Sequence, residues 1–179
     1  MSKIKLNNVR LSFPSLFQKA TFEGKETKFE ATLLLDKDAH AESIAEIQAA
    51  IKVAIKEKLG GAKVGADKLC MKDGADSDYE GYDNAWSLKA ANAKRPLVID
   101  RDKTPLAEDD NRPYSGCYVN AIIELWAQNN AYGKRINANL LAVQFYKDGQ
   151  PFGDGGASAS TNDFDAFDDD IDEDDDIFG

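Results

Sequence analysis

The residues of this sequence best suited to chemistry are aromatic rings interleaved with cations. In CYVNAIIELWA (117–127), Tyr118 and Trp126 have the same parity, so a β-strand would place both rings on one face, opposite a fully apolar face. Exposed rings on a sheet stack with the bases of a single nucleic-acid strand, and nearby cations meet its phosphates. The candidate residues for such a surface are Lys89, Lys94, Arg95, Arg101, Lys103, Arg112, Tyr114, Tyr118, Trp126, Tyr132, Lys134 and Arg135.

A purely structural role is the alternative for each ring taken singly, because a second layer or a dimer partner would cover it equally well. Trp86 in particular shares its parity with Leu88 and therefore belongs with the core. For the whole set, the combination of rings and cations favours nucleic-acid binding.

The groups needed for catalysis are scarce. His40 is the only histidine, and it lies at the start of a helix pattern, where a surface or capping role is expected. Cys70 and Cys117 are too few for a disulfide framework or a zinc cluster, so we predict buried free thiols. No phosphate-binding glycine loop is present. The sequence therefore predicts no enzyme, no cofactor and no metal site.

An acidic loop leaves one catalytic alternative open. The stretch DGADSD, followed by Tyr79 and Glu80, has the ligand types of a hard-metal site but lacks the spacing of a calcium loop. Solvated loop acids are the preferred interpretation, and a metal-dependent nuclease is the minor alternative.

The C-terminal segment, residues 153–179, differs from the rest of the chain in charge. Residues 151–179 hold eleven acids and no Lys or Arg, whereas residues 1–150 hold 22 bases against 21 acids. Such a composition buries too little apolar surface to offset the entropy of ordering. We therefore predict a domain at 1–152, followed by a flexible linker and a disordered acidic tail at 153–179.

Hydrophobic periodicity predicts the elements that position the candidate residues. KFEATLLL and CYVNAIIELWA alternate as half-buried strands. AESIAEIQAAIKVAIKEKLGG repeats its isoleucines at helical spacing, with Asp38 as the expected N-cap and Gly60 as the stop. The inward parity changes at Asn7-Asn8 and again near Leu140-Leu141, so a bulge is expected at each place.

These elements favour one fold class. About six short strands, two of them with a change of face, and a single inserted helix do not fit a parallel βαβ protein. They predict a mainly β protein with a small antiparallel barrel, specifically a five-stranded OB-fold, because its curved strands require such bends.

A family resemblance agrees with this interpretation. VRLSFPSLF, KFEATLLLDK, DYEGYDNAW and, above all, SGCYVNAIIELWAQNNAYGKRINANLLAVQFYKDGQPFG resemble the single-stranded DNA-binding proteins of tailed phages formerly described as a domain of unknown function. The resemblance implies an OB-fold, sequence-independent binding of single-stranded DNA and a role in phage replication or recombination. A homo-oligomer or a cooperative array on DNA is compatible with it.

The C-terminal segment resembles the acidic tails through which other single-stranded DNA-binding proteins recruit polymerases and helicases. The residues expected to contact such partners are Phe164, Phe167, Asp174, Asp175, Asp176, Ile177 and Phe178. Those tails commonly end on the aromatic residue, whereas Gly179 follows Phe178 here. The carboxylates would also compete with phosphates for the cationic surface. The rival interpretation is an acidic DNA mimic or interaction module, but every base lies in residues 1–150.

The expected location follows from two absences. MSKIKLNN contains no apolar signal region, and no apolar run approaches the roughly 18 residues that a membrane span needs. We expect a soluble cytoplasmic protein with no membrane partner, in the host cytoplasm if a phage encodes it.

Overall fold

The structure is a computed structural model of the chain, and it describes residues 3–152. Its strands are β1 (Lys3–Ser15), β2 (Thr21–Phe22), β3 (Lys25–Glu26), β4 (Phe29–Asp36), β5 (Met71–Asp73), β6 (Ala85–Asn92), β7 (Leu97–Ile99), β8 (Tyr118–Asn130) and β9 (Gly133–Lys147). The helix α1 (Ala41–Lys58) lies between β4 and β5.

Five of these strands form a closed barrel. The antiparallel order is β6-β4-β1-β8-β9, and a parallel pairing of Ala91 in β6 with Asn139 in β9 closes the ring. β5 extends the sheet beyond β6, and β7 extends it beyond β9. The β2-β3 hairpin lies in the connection from β1 to β4. This architecture is an OB-fold, as the sequence predicts.

The barrel core follows the alternation seen in the sequence. In β8, Val119, Ala121, Ile123 and Leu125 are buried, while the intervening residues are partly exposed. The inward residues of the other barrel strands join the same apolar cluster. Since parity fixes the inner face, it also fixes which side chains of each strand point outward.

Both predicted bulges are confirmed. In β1 the register with β8 shifts between Leu6 and Val9, and Asn8 between them has a φ of 55°. The bulge takes the backbone N–H of Asn8 out of the β1-β8 hydrogen-bond ladder, and this N–H donates instead to Asn120 Oδ1 at 2.9 Å. In β9, the pairing with β8 skips Leu141. These bends curve the long strands into the barrel.

The helix packs its apolar stripe onto the barrel. Ile44, Ile47 and Ile51 are buried in the main cluster, and α1 contacts chiefly β8. Leu59 and Gly60 end the helix; Gly60 has a φ of 64°, which glycine adopts without a Cβ penalty.

The predicted N-cap of the helix is wrong. The N-cap residue is His40, whose side chain makes no capping hydrogen bond. In the turn before the helix, Asp36 Oδ1 accepts from the backbone N–H groups of Asp38 at 2.8 Å and Ala39 at 2.9 Å. These hydrogen bonds lower the pKa of Asp36. His40 follows and ties the helix start to β1: its Nδ1 accepts from Asp36 N, and its Nε2 donates to the Asn7 carbonyl.

The two thiols are free, as predicted. Cys117 is fully buried in the barrel, whereas Cys70 is only half-buried. Burial raises the pKa of each thiol to about 11, so both are protonated at neutral pH.

Candidate nucleic-acid interface

An open groove of about 1620 Å³ crosses the outer face of β4 and β6. Its walls are the end of β1 with the chain that follows it, the loop after α1, and the ends of β8 and β9 that meet at their hairpin. Its floor is formed by the outward residues Thr32 of β4 and Ser87, Lys89 and Ala91 of β6. These side chains are small or flexible, so the floor leaves room for flat groups.

One end of the groove combines a ring with two cations. Trp126 in β8 pairs with Asn137 in β9, and Arg135 lies two residues before Asn137 on the same face. Lys28 Nζ lies 6.0 Å from the centroid of the Trp126 ring. Asn137 Nδ2 donates to Gln128 Oε1 at 2.9 Å, which holds the polar neighbours of the ring in place.

The other end of the groove is an aromatic cluster that the sequence reasoning missed. The rings of Phe13 and Tyr79 meet edge to face at 5.0 Å, and Tyr82 lies 5.3 Å from Tyr79. Tyr79 remains 59% exposed. Phe13 has a φ of 47°, in a strand end that turns toward the loop. The DYEGYDNAW motif was a signal for this cluster, but its partner Phe13 is distant in the sequence.

The charge of the groove is mixed. Its lining contains six cations (Lys19, Lys28, Lys68, Lys72, Lys89 and Arg135) and five carboxylates (Glu30, Asp67, Asp73, Asp76 and Glu108). Lys89 pairs with Glu30 at 3.0 Å, and Asp73 pairs with Lys37 at 2.7 Å. Among residues 3–152, the other five lining cations have no ion pair within 4.0 Å. Those five are available to phosphates.

The structure brings only part of the predicted set together. Lys89, Trp126 and Arg135 line the groove. Arg95 lies at its margin, where its guanidinium carbon is 5.3 Å from the ring centroid of the groove residue Phe17. Lys94 lies next to Arg95 in a separate, smaller cavity.

Four further candidates are exposed residues in or beside turns, outside the groove. Tyr132 is 82% exposed in the turn between β8 and β9, and Lys134 follows it. Arg101 and Lys103 lie in the turn after β7. These residues flank the barrel rather than line its groove.

Arg112 forms an ion pair within the domain. Its guanidinium binds Asp100 at 2.7 Å, and it also lies 5.6 Å from the centroid of Phe145. Hydrogen bonds from the Arg101 backbone and from Arg112 lower the pKa of Asp100, and the same pair raises the pKa of Arg112.

The two remaining tyrosines also have internal partners. Tyr114 is half-buried against the core, and its hydroxyl donates to Asp148 at 2.7 Å. Burial and this carboxylate raise the pKa of Tyr114. Two cations approach the Tyr118 ring: Arg10 Cζ lies 5.9 Å and Lys147 Nζ 4.9 Å from its centroid. Trp126 and Tyr118 share a strand face, but eight residues separate them by roughly 26 Å.

The described part of the chain ends close to the groove. Phe152, the last described residue, is buried against Leu34, Tyr82 and Ala85, with Arg10 3.9 Å from its ring centroid. Leu34 is an outward residue of β4, two positions from the groove floor. The segment therefore starts on the same outer face as the groove. The predicted partner contacts Phe164, Phe167, Asp174, Asp175, Asp176, Ile177 and Phe178 lie outside the described residues.

One acid of the DGADSD stretch, Asp73, has structural partners. Asp73 binds Lys37 and accepts from the backbone N–H of Ala75 at 2.9 Å. Within residues 3–152, no three His, Cys, Asp or Glu side chains are grouped as metal ligands. In that same range, no helix is both long and apolar enough to cross a membrane.

Comparison with known proteins places the chain in a family. The family model of the Enterobacter phage Enc34 ssDNA-binding protein matches residues 2–178. Protein p50 of Acyrthosiphon pisum secondary endosymbiont phage 1 is 43% identical over 173 residues, which are 91% of this chain and 92% of p50.

Solved structures of the bacteriophage Enc34 single-stranded DNA-binding protein are similar over most of the fold. The one in complex with ssDNA superposes with a TM-score of 0.78 at 37% identity, over 84% of this chain and 89% of that chain. A C-terminal truncation superposes with a TM-score of 0.77 at 36% identity, over 84% and 88% of the two chains. With its closed barrel, its groove and a sequence match from end to end, the chain belongs to the Enc34 phage ssDNA-binding protein family.

Proposed function

We propose that this protein binds single-stranded DNA in the groove over β4 and β6. The observation that carries the proposal is the placement of Trp126 beside Lys28 and Arg135 at one end of the groove. A family relative at 37% identity was solved in complex with ssDNA, which supports the same ligand here. The family consists of DNA-binding proteins and not of enzymes.

Stacking and charge together explain why binding would be independent of sequence. Every base has a π-face that Trp126 or Tyr79 stacks upon, whereas discrimination between bases requires hydrogen bonds to their edges. The unpaired lysines and Arg135 neutralise phosphates, which all nucleotides share. In OB-folds, the loops after the first and fourth barrel strands flank the bound strand. Here those are the β2-β3 hairpin and the β8-β9 turn.

The wider role is inferred from the family. Phage replication and recombination both expose single strands, and a sequence-independent binder protects and organises them. The protein would act in the host cytoplasm, where that DNA is found. Copies bound side by side, as a cooperative array, would cover long single strands.

The C-terminal segment is proposed to regulate binding and to recruit partners. We place the domain boundary after Phe152 because the acid-rich composition begins there. The eleven carboxylates of 154–179 compete with phosphates for the groove cations. Once DNA displaces them, the apolar residues of the segment become accessible to replication or recombination proteins.

A gel-shift series tests the proposed ligand. The intact chain is titrated into a mixed-sequence single-stranded DNA, an RNA of the same sequence and the corresponding duplex, at several salt concentrations. We expect the tightest binding to single-stranded DNA, little difference between unrelated sequences, and a steep loss of affinity as salt rises. Strong preference for one sequence, or affinity that does not respond to salt, would contradict binding by stacking and charge. Incubation of the same DNA with magnesium or manganese should yield no cleavage products.

A further inference from the structure

A second cavity of about 400 Å³ lies beyond the end of β6 and is not part of the groove. It is lined by Asn92, Lys94, Arg95, Pro96, Leu97 and Leu141. Leu97 is 57% exposed there, although it is a large apolar side chain. Neither Lys94 nor Arg95 has an ion pair within 4.0 Å among residues 3–152. The cavity thus offers an apolar surface with two available cations, and we call it the end cavity.

The end cavity and the origin of the C-terminal segment lie at opposite ends of the same strand. Phe152 packs on Ala85, the first residue of β6, and the end cavity includes Asn92, the last. Seven residue steps along a strand are roughly 23 Å. Between the two points lies the groove floor, and Arg95 joins the groove to the end cavity through Phe17.

The chemistry of the end cavity matches the end of this chain better than it matches a nucleotide. Among the described residues, no aromatic ring lines the cavity, so residues 3–152 give a base nothing to stack upon there. The chain ends in Asp174-Asp175-Asp176-Ile177-Phe178-Gly179, which places apolar side chains directly after three carboxylates. Leu97, Pro96 and Leu141 suit the apolar side chains, and the two cations suit the carboxylates.

We propose that the Ile177-Phe178 end of the same chain docks in the end cavity. Asp174, Asp175 and Asp176 then meet Lys94 and Arg95, and the acids between Phe152 and this point lie along the groove. This inference rests on the proposed function, because it describes how the competing segment is held over the DNA site. The segment is fixed at both ends, which makes it a stronger competitor than one tethered at Phe152 alone.

Chain length permits this arrangement. The 26 residues from Gly153 to Phe178 have a random-coil reach of roughly 30 Å, against the roughly 23 Å along β6. Docking within one chain therefore requires neither full extension nor strong compaction. The same match places the effective concentration of the tethered end in the millimolar range or above, on the order of that of short linkers.

Photo-crosslinking of the intact chain tests the docking directly. Benzoylphenylalanine replaces Phe178, the protein is irradiated without DNA, and the crosslinked peptides are identified by mass spectrometry. We expect crosslinks within one chain to residues 92–97 or to Leu141, and their loss when single-stranded DNA is added. Crosslinks only to residues near Trp126, only between chains, or to no fixed position would overturn the proposal. The DNA-free result does not depend on whether the groove binds DNA.

A matched pair of substitutions separates docking from a general effect of surface apolarity. Leu97→Ser removes the exposed apolar contact of the end cavity, whereas Val53→Ser changes a residue of similar exposure, 51%, on α1. In the intact chain, Leu97→Ser should raise single-stranded DNA affinity roughly three- to tenfold, and Val53→Ser should leave it unchanged. Phe178→Ala should reproduce the rise. If Leu97→Ser leaves the affinity of the intact chain unchanged, or raises it equally in a chain lacking 154–179, the end cavity does not hold the chain end.

Discussion

We assign base stacking to Trp126 because its side chain points outward from the barrel and part of its ring remains exposed to a ligand. It is half-buried, and Lys28 approaches one side of its ring. Trp86 also lines the groove but packs against the core cluster, since its parity follows Leu88. We therefore expect Trp126 to stabilise the DNA complex and Trp86 to stabilise the fold.

We predict that Trp126→Ala weakens single-stranded DNA binding with little effect on folding. The loss of one base stack is worth about 1 to 3 kcal/mol, which corresponds to roughly 5- to 150-fold in affinity. Affinity is measured by fluorescence anisotropy and stability by thermal unfolding. Trp86→Ala is the comparison, and it should lower the melting temperature more. A large fall in the melting temperature of Trp126→Ala with unchanged affinity would show that the ring serves the fold.

Arg135 is a charge contact rather than a stacking contact. It lines the groove and has no ion pair within 4.0 Å among residues 3–152. If it neutralises one phosphate, Arg135→Ala should reduce the slope of log K against log salt by about 0.7. Lys58→Ala, at the end of α1 and outside the groove lining, should leave that slope unchanged. Equal slopes for the two variants would remove Arg135 from the interface.

At the scale of elements, the close approach of Gln150 and Pro151 to the start of β8 depends on a glycine. Gly116, two residues before the start of β8 at Tyr118, has a φ of 105°, and a Cβ there would lie 2.2 Å from the Gln150 carbonyl and 2.7 Å from Pro151 Cα. Arg10 fixes the same crossing by donating to the carbonyls of Gly116 and Gln150. This contact leads the chain to Phe152 on the outer face of β4.

We predict that Gly116→Ala destabilises the domain by several kcal/mol, since backbone atoms must shift in addition to the strain of a positive φ. Gly133 provides a control, because it has the same φ of 105° and no atom of residues 3–152 lies within 4 Å of its Cβ position. Gly133→Ala should cost only about 1 kcal/mol. Chemical denaturation measures both. If both variants lose the same free energy of unfolding, the backbone near Gln150 accommodates a Cβ at position 116 without an energetic penalty, contrary to this prediction.

At the scale of the whole molecule, charge is divided between the barrel and the C-terminal segment. Deletion of residues 154–179 removes eleven acids and no base, so the net charge rises from -10 to +1. A relative with a truncated C-terminus has been solved with the same fold, which makes the deletion a practical variant.

We predict that this deletion strengthens nucleic-acid binding and relaxes selection against duplex. A duplex is stiff and does not turn its bases onto the rings, so its binding depends more on charge and suffers more from the competing carboxylates. Affinities of the intact and truncated chains are compared for single strands and duplex at low and high salt. The difference should shrink as salt screens the groove. Indistinguishable affinities at low salt would leave the segment only its role in recruiting partners.

The sequence by itself determined the strand faces, the bulges and the division of charge. Alternation along β8 fixed its inner face, and the parity changes at Asn7-Asn8 and Leu140-Leu141 located the bends, because side-chain direction in a strand follows directly from position. The fold class followed from these local features. The helix cap did not, because the turn in which Asp36 binds the N–H groups of Asp38 and Ala39 delays the helix start and puts His40, not Asp38, at the N-cap position.

The tertiary structure alone decided which outward residues share a surface. It placed Lys28 at Trp126 and Phe13 at Tyr79, pairs separated by long stretches of sequence. It also gave Arg112 and Tyr114 internal partners, which their side-chain types alone do not reveal. Parity specifies the face of a strand, but barrel curvature and loop paths specify the neighbours across that face, so a binding groove is a property of the closed barrel.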